Sequence, residues 1–172
     1  MRGASNAIFS LKPEQRLNGF ATHSSGNHAQ AVAYACKTAG VSAYIVMPQN
    51  APKVKIDAVK NYGGEIVFCE PNETARQTAC TKIIQETNAL FIPPFDDLAI
   101  ITGQATCAKE LIESHEGLDY LLTPVGGGGL AAGTALSVKY FSPKTKVILG
   151  EPEIVNDTYL SLKAGKIIPV SQ

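Results

Sequence analysis

Residues 20–48 read FATHSSGNHAQAVAYACKTAGVSAYIVMP, and this stretch decides the fold. Phe20 to His23 is a short strand pattern. Asn27 to Ala39 is alanine-rich and helical, and Gly40 stops it. Ala43 to Met47 is a β-branched and aromatic run closed by Pro48. Two strands joined by a helix need a crossover connection, so they lie parallel. Between the first strand and the helix stand six polar or small residues, His23 to His28, more than a helix cap requires.

The same alternation extends outward on both sides. Leu17-Asn18-Gly19 forms a turn before the first strand. Pro52 to Tyr62 reads as a helix with proline near its first turn and Gly63-Gly64 at its stop. Glu65 to Cys69 is a strand, Glu73 to Thr87 a helix that Asn72 can cap, and Ala89 to Ile92 a strand ended by Pro93-Pro94. Ala99 to His115 is a long helix, Tyr120 to Pro124 a strand, Leu130 to Phe141 a helix and Val147 to Gly150 a strand. Asp157 to Ala164 is a last short helix. The class is therefore α/β with open, mostly parallel sheets. The strands are continuous apolar runs, as expected where helices cover both faces. Met1-Arg2-Gly3-Ala4 enters directly into the periodic Ala7, Ile8 and Leu11. The last strand pattern, Ile167 to Val170, stops at Gln172 without a closing element, so both ends read as cut.

Composition bounds the function. The chain has 172 residues, with 15 Lys plus Arg against 15 Asp plus Glu. That balance gives no electrostatic reason to expect nucleic acid or a membrane surface. No apolar run reaches the 18 residues of a span, and no basic-then-apolar leader is visible, so the expectation is a cytoplasmic protein. Cys36, Cys69, Cys80 and Cys107 include no C-x-x-C pair, and four separate buried thiols are expected.

Three motifs carry chemistry. In His23-Ser24-Ser25-Gly26-Asn27-His28 a helix start points N–H groups and its positive dipole end into a loop rich in donors. That suits a carboxylate or phosphate, with an ordinary helix cap as the alternative. Gly126-Gly127-Gly128-Gly129 follows a strand and opens a helix, so main-chain N–H groups can wrap an anion. The same run also fits G-x-G-x-x-A at Gly126, Gly128 and Ala131, with Glu151 about 20 residues on, which is the dinucleotide fingerprint. The third is Glu151-Pro152 with Asp157. Two carboxylates on a turn could hold a hard cation with a loop carbonyl between them, or they could be solvated acids. His115, beside Ser114 and Glu116, is expected at the surface.

Taken in order, Arg2-Gly3-Ala4, Thr22 to Gln30, Pro94-Phe95-Asp96-Asp97, Gly103-Gln104-Ala105-Thr106 and Pro124 to Leu130 resemble the serine racemase and serine/threonine dehydratase family. These are pyridoxal-phosphate enzymes of the tryptophan-synthase-β type, fold type II. The resemblance covers essentially the whole chain, and the combination is far more specific than any one motif. It implies a smaller α/β domain over 19–94, with 1–18 and 95–172 as parts of a larger cofactor-holding domain. It also implies an amino-acid substrate, serine or threonine, and a homodimer in the full-length family. The reaction implied is loss of water from the hydroxy-amino acid, or racemisation of serine.

The resemblance also assigns residues. Gly126, Gly127, Gly128 and Gly129 would hold the cofactor phosphate, and Asn27 its phenolic oxygen. Ser24, Ser25, Gly26 and His28 would hold the substrate carboxylate, and Ser25 would act as acid/base at the substrate α-carbon. Glu151, Asp157 and the carbonyl of Val155 match the divalent-cation site of serine racemase, for Mg2+ or Ca2+. Ala105 replaces a usual glycine and Pro93 a histidine. The family's Ser-Phe-Lys-x-Arg-Gly-Ala would put Met1 at x, so the Schiff-base lysine is not in the 172 residues, and neither is the serine-glycine-glycine segment near the pyridine nitrogen. The expectation is a chain inactive by itself. A dinucleotide-binding module or a non-catalytic fragment is the alternative.

Overall fold

The computed structural model describes residues 1–168. The chain divides into two compact units, Met1–Gly103 and the residues from Gln104 onward. The first takes in residues 1–18 and 95–103 together with the stretch read as the smaller domain.

In the first unit, α1 (Arg2–Phe9) and a 3-10 turn at Pro13–Arg16 precede β1 (Phe20–His23). Then follow α2 (Asn27–Ala39), β2 (Ala43–Pro48), α3 (Lys53–Asn61), β3 (Glu65–Cys69), α4 (Glu73–Thr87), β4 (Leu90–Phe91) and α5 (Leu98–Ser114), which crosses the division. The strands form one parallel sheet in the order β3-β2-β1-β4, with Phe20 opposite Ala43 and Leu90. Successive strand side chains point to opposite faces. Phe20, Ile45 and Met47 pack with α1, α2 and α3 through Ala4, Ile8, Val32 and Val59, whereas Ala21 and Val46 pack with Cys80 and Ile83 of α4. Each fully buried side chain of the Phe20 or Ile45 kind contributes about 1.5–3 kcal/mol, so this two-faced core is what holds β1 and its loop in place.

Local chemistry sets the ends. Gly40 takes the left-handed conformation at φ 69°, and its N–H and that of Val41 return to the last carbonyls of α2. Asn72 caps α4, its Oδ1 accepting from the Ala75 N–H at 2.8 Å. β4 is shorter than the expected Ala89–Ile92 because only Leu90 and Phe91 pair with β1.

The second unit holds β5 (Tyr120–Pro124), α6 (Gly129–Phe141), β6 (Lys146–Gly150), a 3-10 turn at Glu153–Val155 and α7 (Asp157–Ala164). β5 and β6 pair in parallel around a small core of Ala108, Leu121 and Val138. The expectation of helices on both faces fails here among the described residues. Alternation sends Leu121 and Val147 inward but leaves Leu122 and Ile148 exposed. The expectation of four buried thiols also needs correction: Cys36, Cys69 and Cys80 are buried, but Cys107 lies on an exposed position of α5. The strand expected at Ile167–Val170 shows no strand at Ile167 and Ile168, and its remainder lies outside the described residues.

Candidate functional site

The chain leaves β1 for β2 on one side and returns to β4 on the other, so the carboxyl end of β1 is the point where strand order reverses. Crevices at such points are where open parallel sheets bind ligands. The loop Ser24–Gly26 sits there. Its entry is fixed by the Ser24 N–H donating to the Val46 carbonyl at 3.0 Å. No side chain caps α2: the Ser24 hydroxyl accepts from the Gly26 N–H at 3.2 Å instead. The ordinary-cap reading of this loop is therefore wrong, and the first-turn N–H groups of a 13-residue helix face the loop without a side-chain acceptor.

Ser25 is half-buried and lines a cleft of about 210 Å3 with Pro48, Asn50, Ala51, Pro52, Pro71 and Arg76. Arg76 gives one guanidinium nitrogen to Glu73 at 2.7 Å, while its Nε is buried with no hydrogen-bond partner. A cationic side chain in the lining of the same cleft as a serine favours an anion.

His28 lies half-buried in the first turn of α2. Its Nε2 donates to the Ile92 carbonyl at 3.3 Å, and the Thr22 hydroxyl donates to the same oxygen at 2.7 Å. Burial pushes the His28 imidazole down to about 4, outweighing the opposing pull of the Ile92 carbonyl. The ring is neutral at pH 7 with its proton on Nε2, so Nδ1 can only accept. Any carboxylate held at position 28 is thus held by the main-chain N–H. His23 points to the α4 face, stacks on Phe91 at 5.6 Å and lines a separate cleft of about 380 Å3 with Gln77, Cys80, Thr81 and Ile84. Asn27 is exposed at the first position of α2, and its Oδ1 accepts from Lys55 Nζ at 2.5 Å.

In the second unit the glycine run joins β5 to α6. The Val125 N–H donates to the Gly150 carbonyl at 2.9 Å, and Gly128 takes φ 88°, a backbone state that L side chains rarely adopt. A Cβ added at Gly126 or Gly128 would meet nothing within 4 Å. Neighbouring atoms therefore do not demand glycine at either position, whereas the backbone of Gly128 does. What glycine provides is an open main-chain cradle ahead of a helix start that no side chain caps, which fits a phosphate group.

Glu151 closes β6 and reaches α7: its carboxylate accepts from the Tyr159 N–H at 2.7 Å and the Thr158 N–H at 3.2 Å. A dinucleotide fingerprint would use this acid for a ribose; here each of its oxygens accepts one N–H from the start of α7. Asp157 is the first residue of α7, and the Glu153–Val155 turn between the two acids is closed by the Val155 N–H on the Pro152 carbonyl at 3.0 Å. Among the described residues no three His, Cys, Asp or Glu side chains gather as a metal cluster, and no helix is long and apolar enough to cross a membrane. His115 is exposed, as expected.

Two residues of the first loop's surroundings escaped the sequence reading. Lys55 and Arg76 come from α3 and α4, and neither stands in a motif that marks it.

The family of pyridoxal-phosphate dependent enzymes matches residues 1–172. The chain is 47% identical over 168 residues to a β-hydroxyaspartate dehydratase of Paracoccus denitrificans, covering 98% of this chain and 53% of that protein. It is 46% identical over 167 residues to serine racemase of Dictyostelium discoideum, covering 97% of this chain and 52% of the other. Among solved structures, maize serine racemase matches at TM-score 0.97 and 42% identity, over 99% of this chain and 52% of that one. The chain spans about half the length of the curated relatives it matches.

Proposed function

Since the chain belongs to the pyridoxal-phosphate dependent enzymes, we propose that it is the part of a serine/threonine dehydratase (ammonia-lyase) or serine racemase that holds the cofactor phosphate and the substrate carboxylate. The observation that carries this reading is the open glycine loop ahead of α6, where a Cβ at Gly126 or Gly128 would meet nothing within 4 Å. When bound, pyridoxal phosphate would supply an electron sink for the substrate α-carbon. The residues of this chain would do the rest. Gly126, Gly127, Gly128 and Gly129 would hold the phosphate through main-chain N–H groups. The Asn27 amide would donate to the phenolic oxygen. Ser24, Ser25, Gly26 and the main-chain N–H of His28 would orient the substrate carboxylate at the start of α2. The Ser25 hydroxyl would move a proton at the α-carbon. The relatives named a β-hydroxyaspartate dehydratase and a serine racemase support an amino-acid substrate bearing a β-hydroxyl.

The finer parts belong to the same proposal. Residues 19–94 form the smaller domain, 1–18 and 95–172 contribute to the larger one, and the whole protein is a cytoplasmic homodimer. Glu151, Asp157 and the Val155 carbonyl bind Mg2+ or Ca2+. Capping α7 uses only part of the Glu151 carboxylate's lone pairs, so the same group can still meet a cation. The 172 residues hold no lysine ahead of Arg2-Gly3-Ala4, and by themselves they would bind without turning substrate over.

Separate titrations with pyridoxal 5'-phosphate and NAD, followed by thermal shift, test this reading. Saturable stabilisation by pyridoxal 5'-phosphate is expected. Saturable binding of NAD with no response to pyridoxal 5'-phosphate would overturn it. Borohydride should trap no stoichiometric adduct on a single lysine such as Lys12, Lys53 or Lys55.

A further inference from the structure

We infer that Lys55 is a positioning residue that fixes which end of the Asn27 carboxamide faces the cofactor site, an inference that rests on the proposed function. Lys55 Nζ lies 2.5 Å from Asn27 Oδ1. An ammonium group only donates, so the oxygen of the amide must face Lys55 and the NH2 must face away from it. A carboxamide without such a partner has two nearly equivalent orientations, because its terminal torsion is broad and roughly two-fold. Only one of them offers donors to a phenolic oxygen.

The lysine itself is held from both ends of its helix. Its own N–H donates to the Pro52 carbonyl at 2.8 Å in the first turn of α3, and Val59 on the same helix is fully buried. At the far end, Lys37 of α2 donates to the Asn61 carbonyl of α3 at 3.3 Å. α2 and α3 are thereby tied near both their starts and their ends. The placement also breaks a local rule. A cation beside the N-terminus of α2, and in the first turn of α3, opposes the positive end of both helix dipoles. Among the described residues no carboxylate pairs with Lys55 to offset it. Such a conflict without a compensating contact is what a residue kept for a site looks like.

The probe is pyridoxine 5'-phosphate, which has no aldehyde and so needs no lysine chemistry. Its affinity for the 172-residue chain would be compared among the native protein, Lys55→Met, Lys55→Arg, Asn27→Ala and the double variant Asn27→Ala/Lys55→Met. Lys55→Met should bind about tenfold more weakly, the size of one oriented hydrogen bond. Lys55→Arg, which also only donates, should restore most of the loss. The double variant should be no weaker than Asn27→Ala alone. In the ligand-free protein, the side-chain NH2 resonances of Asn27 should move in Lys55→Met and return towards their native position in Lys55→Arg. Native affinity in Lys55→Met, or losses that simply add in the double variant, would overturn the inference while leaving the proposed function standing. No binding of the probe to the native chain would overturn the proposed function, and this inference with it.

Discussion

Substituting Gly103 by alanine should destabilise the first unit, although alanine is the better helix former. Gly103 lies in α5 where it passes α1. A Cβ there would stand 2.6 Å from the Arg2 carbonyl oxygen, 2.7 Å from Gly3 Cα and 2.7 Å from Asn6 Cβ. Two of these three atoms are backbone, so no rotamer change makes room. α1 would have to retreat, but Ile8 is fully buried, Ala4 and Ala7 are nearly so, and Asn6 Nδ2 donates to the Ala99 carbonyl at 2.7 Å. Overpacking costs about 1–3 kcal/mol, and rigid backbone partners put this case near about 3. Helix propensity returns about 1 kcal/mol. The net loss is about 2 kcal/mol, or about 4–8 °C in Tm for a chain of this length. Thermal and urea unfolding followed by far-ultraviolet circular dichroism would measure it. Gly126→Ala is the control: its Cβ meets nothing, so it should stay within about 0.5 kcal/mol of native. A Gly103→Ala variant as stable as the native chain would refute the close approach of α1 and α5.

His28 makes stability depend on pH. Its folded value of about 4 lies below the usual about 6.5 of an unfolded chain, so between these limits the unfolded state binds the extra proton and stability falls as pH falls, by on the order of 3 kcal/mol in total. His28→Gln, which keeps a donor for the Ile92 carbonyl without titrating, should flatten urea midpoints measured between pH 4 and about 6.5; an unchanged slope would show that other groups set it. At the other site, Mg2+ or Ca2+ should raise the Tm of the native chain, and Asp157→Ala should abolish the rise. An identical rise in the variant would return Glu151 and Asp157 to a purely structural role.

Much of the architecture is legible in the sequence. Asn27–Ala39, Glu65–Cys69, Glu73–Thr87 and Asp157–Ala164 begin and end where their caps, glycines and β-branched runs predict. α1 carries a periodic apolar face at Ala4, Ala7 and Ile8, but no capping side chain or stopping glycine marks its ends, so the sequence does not delimit it as a helix. The Pro13–Arg16 and Glu153–Val155 turns were likewise too short to carry a period. The two loops proposed to bind anions were readable, since a run of small donors before a helix has few other uses. What surrounds them was not. Arg76 lines the Ser25 cleft from α4 and Lys55 reaches Asn27 from α3, and only the tertiary packing brings them there. The neutral state of His28 was invisible for the same reason, since it comes from burial, which outweighs the opposing Ile92 carbonyl 64 residues away along the chain.

The glycines fall into two kinds, and the difference bears on how variation in this protein should be scored. At Gly19 and Gly103 an added methyl collides with backbone, 2.4 Å from Ser42 O in the first case and 2.6 Å from Arg2 O in the second. At Gly26 and Gly126 it enters open space. In a survey that records cellular abundance and growth for each variant, changes at the first pair should lower both together. Alanine at the second pair should leave abundance intact while growth that depends on the protein's activity falls. Substitutions of that second kind escape any filter based on folding, so inherited or selected loss of function would accumulate there in proteins that still express normally.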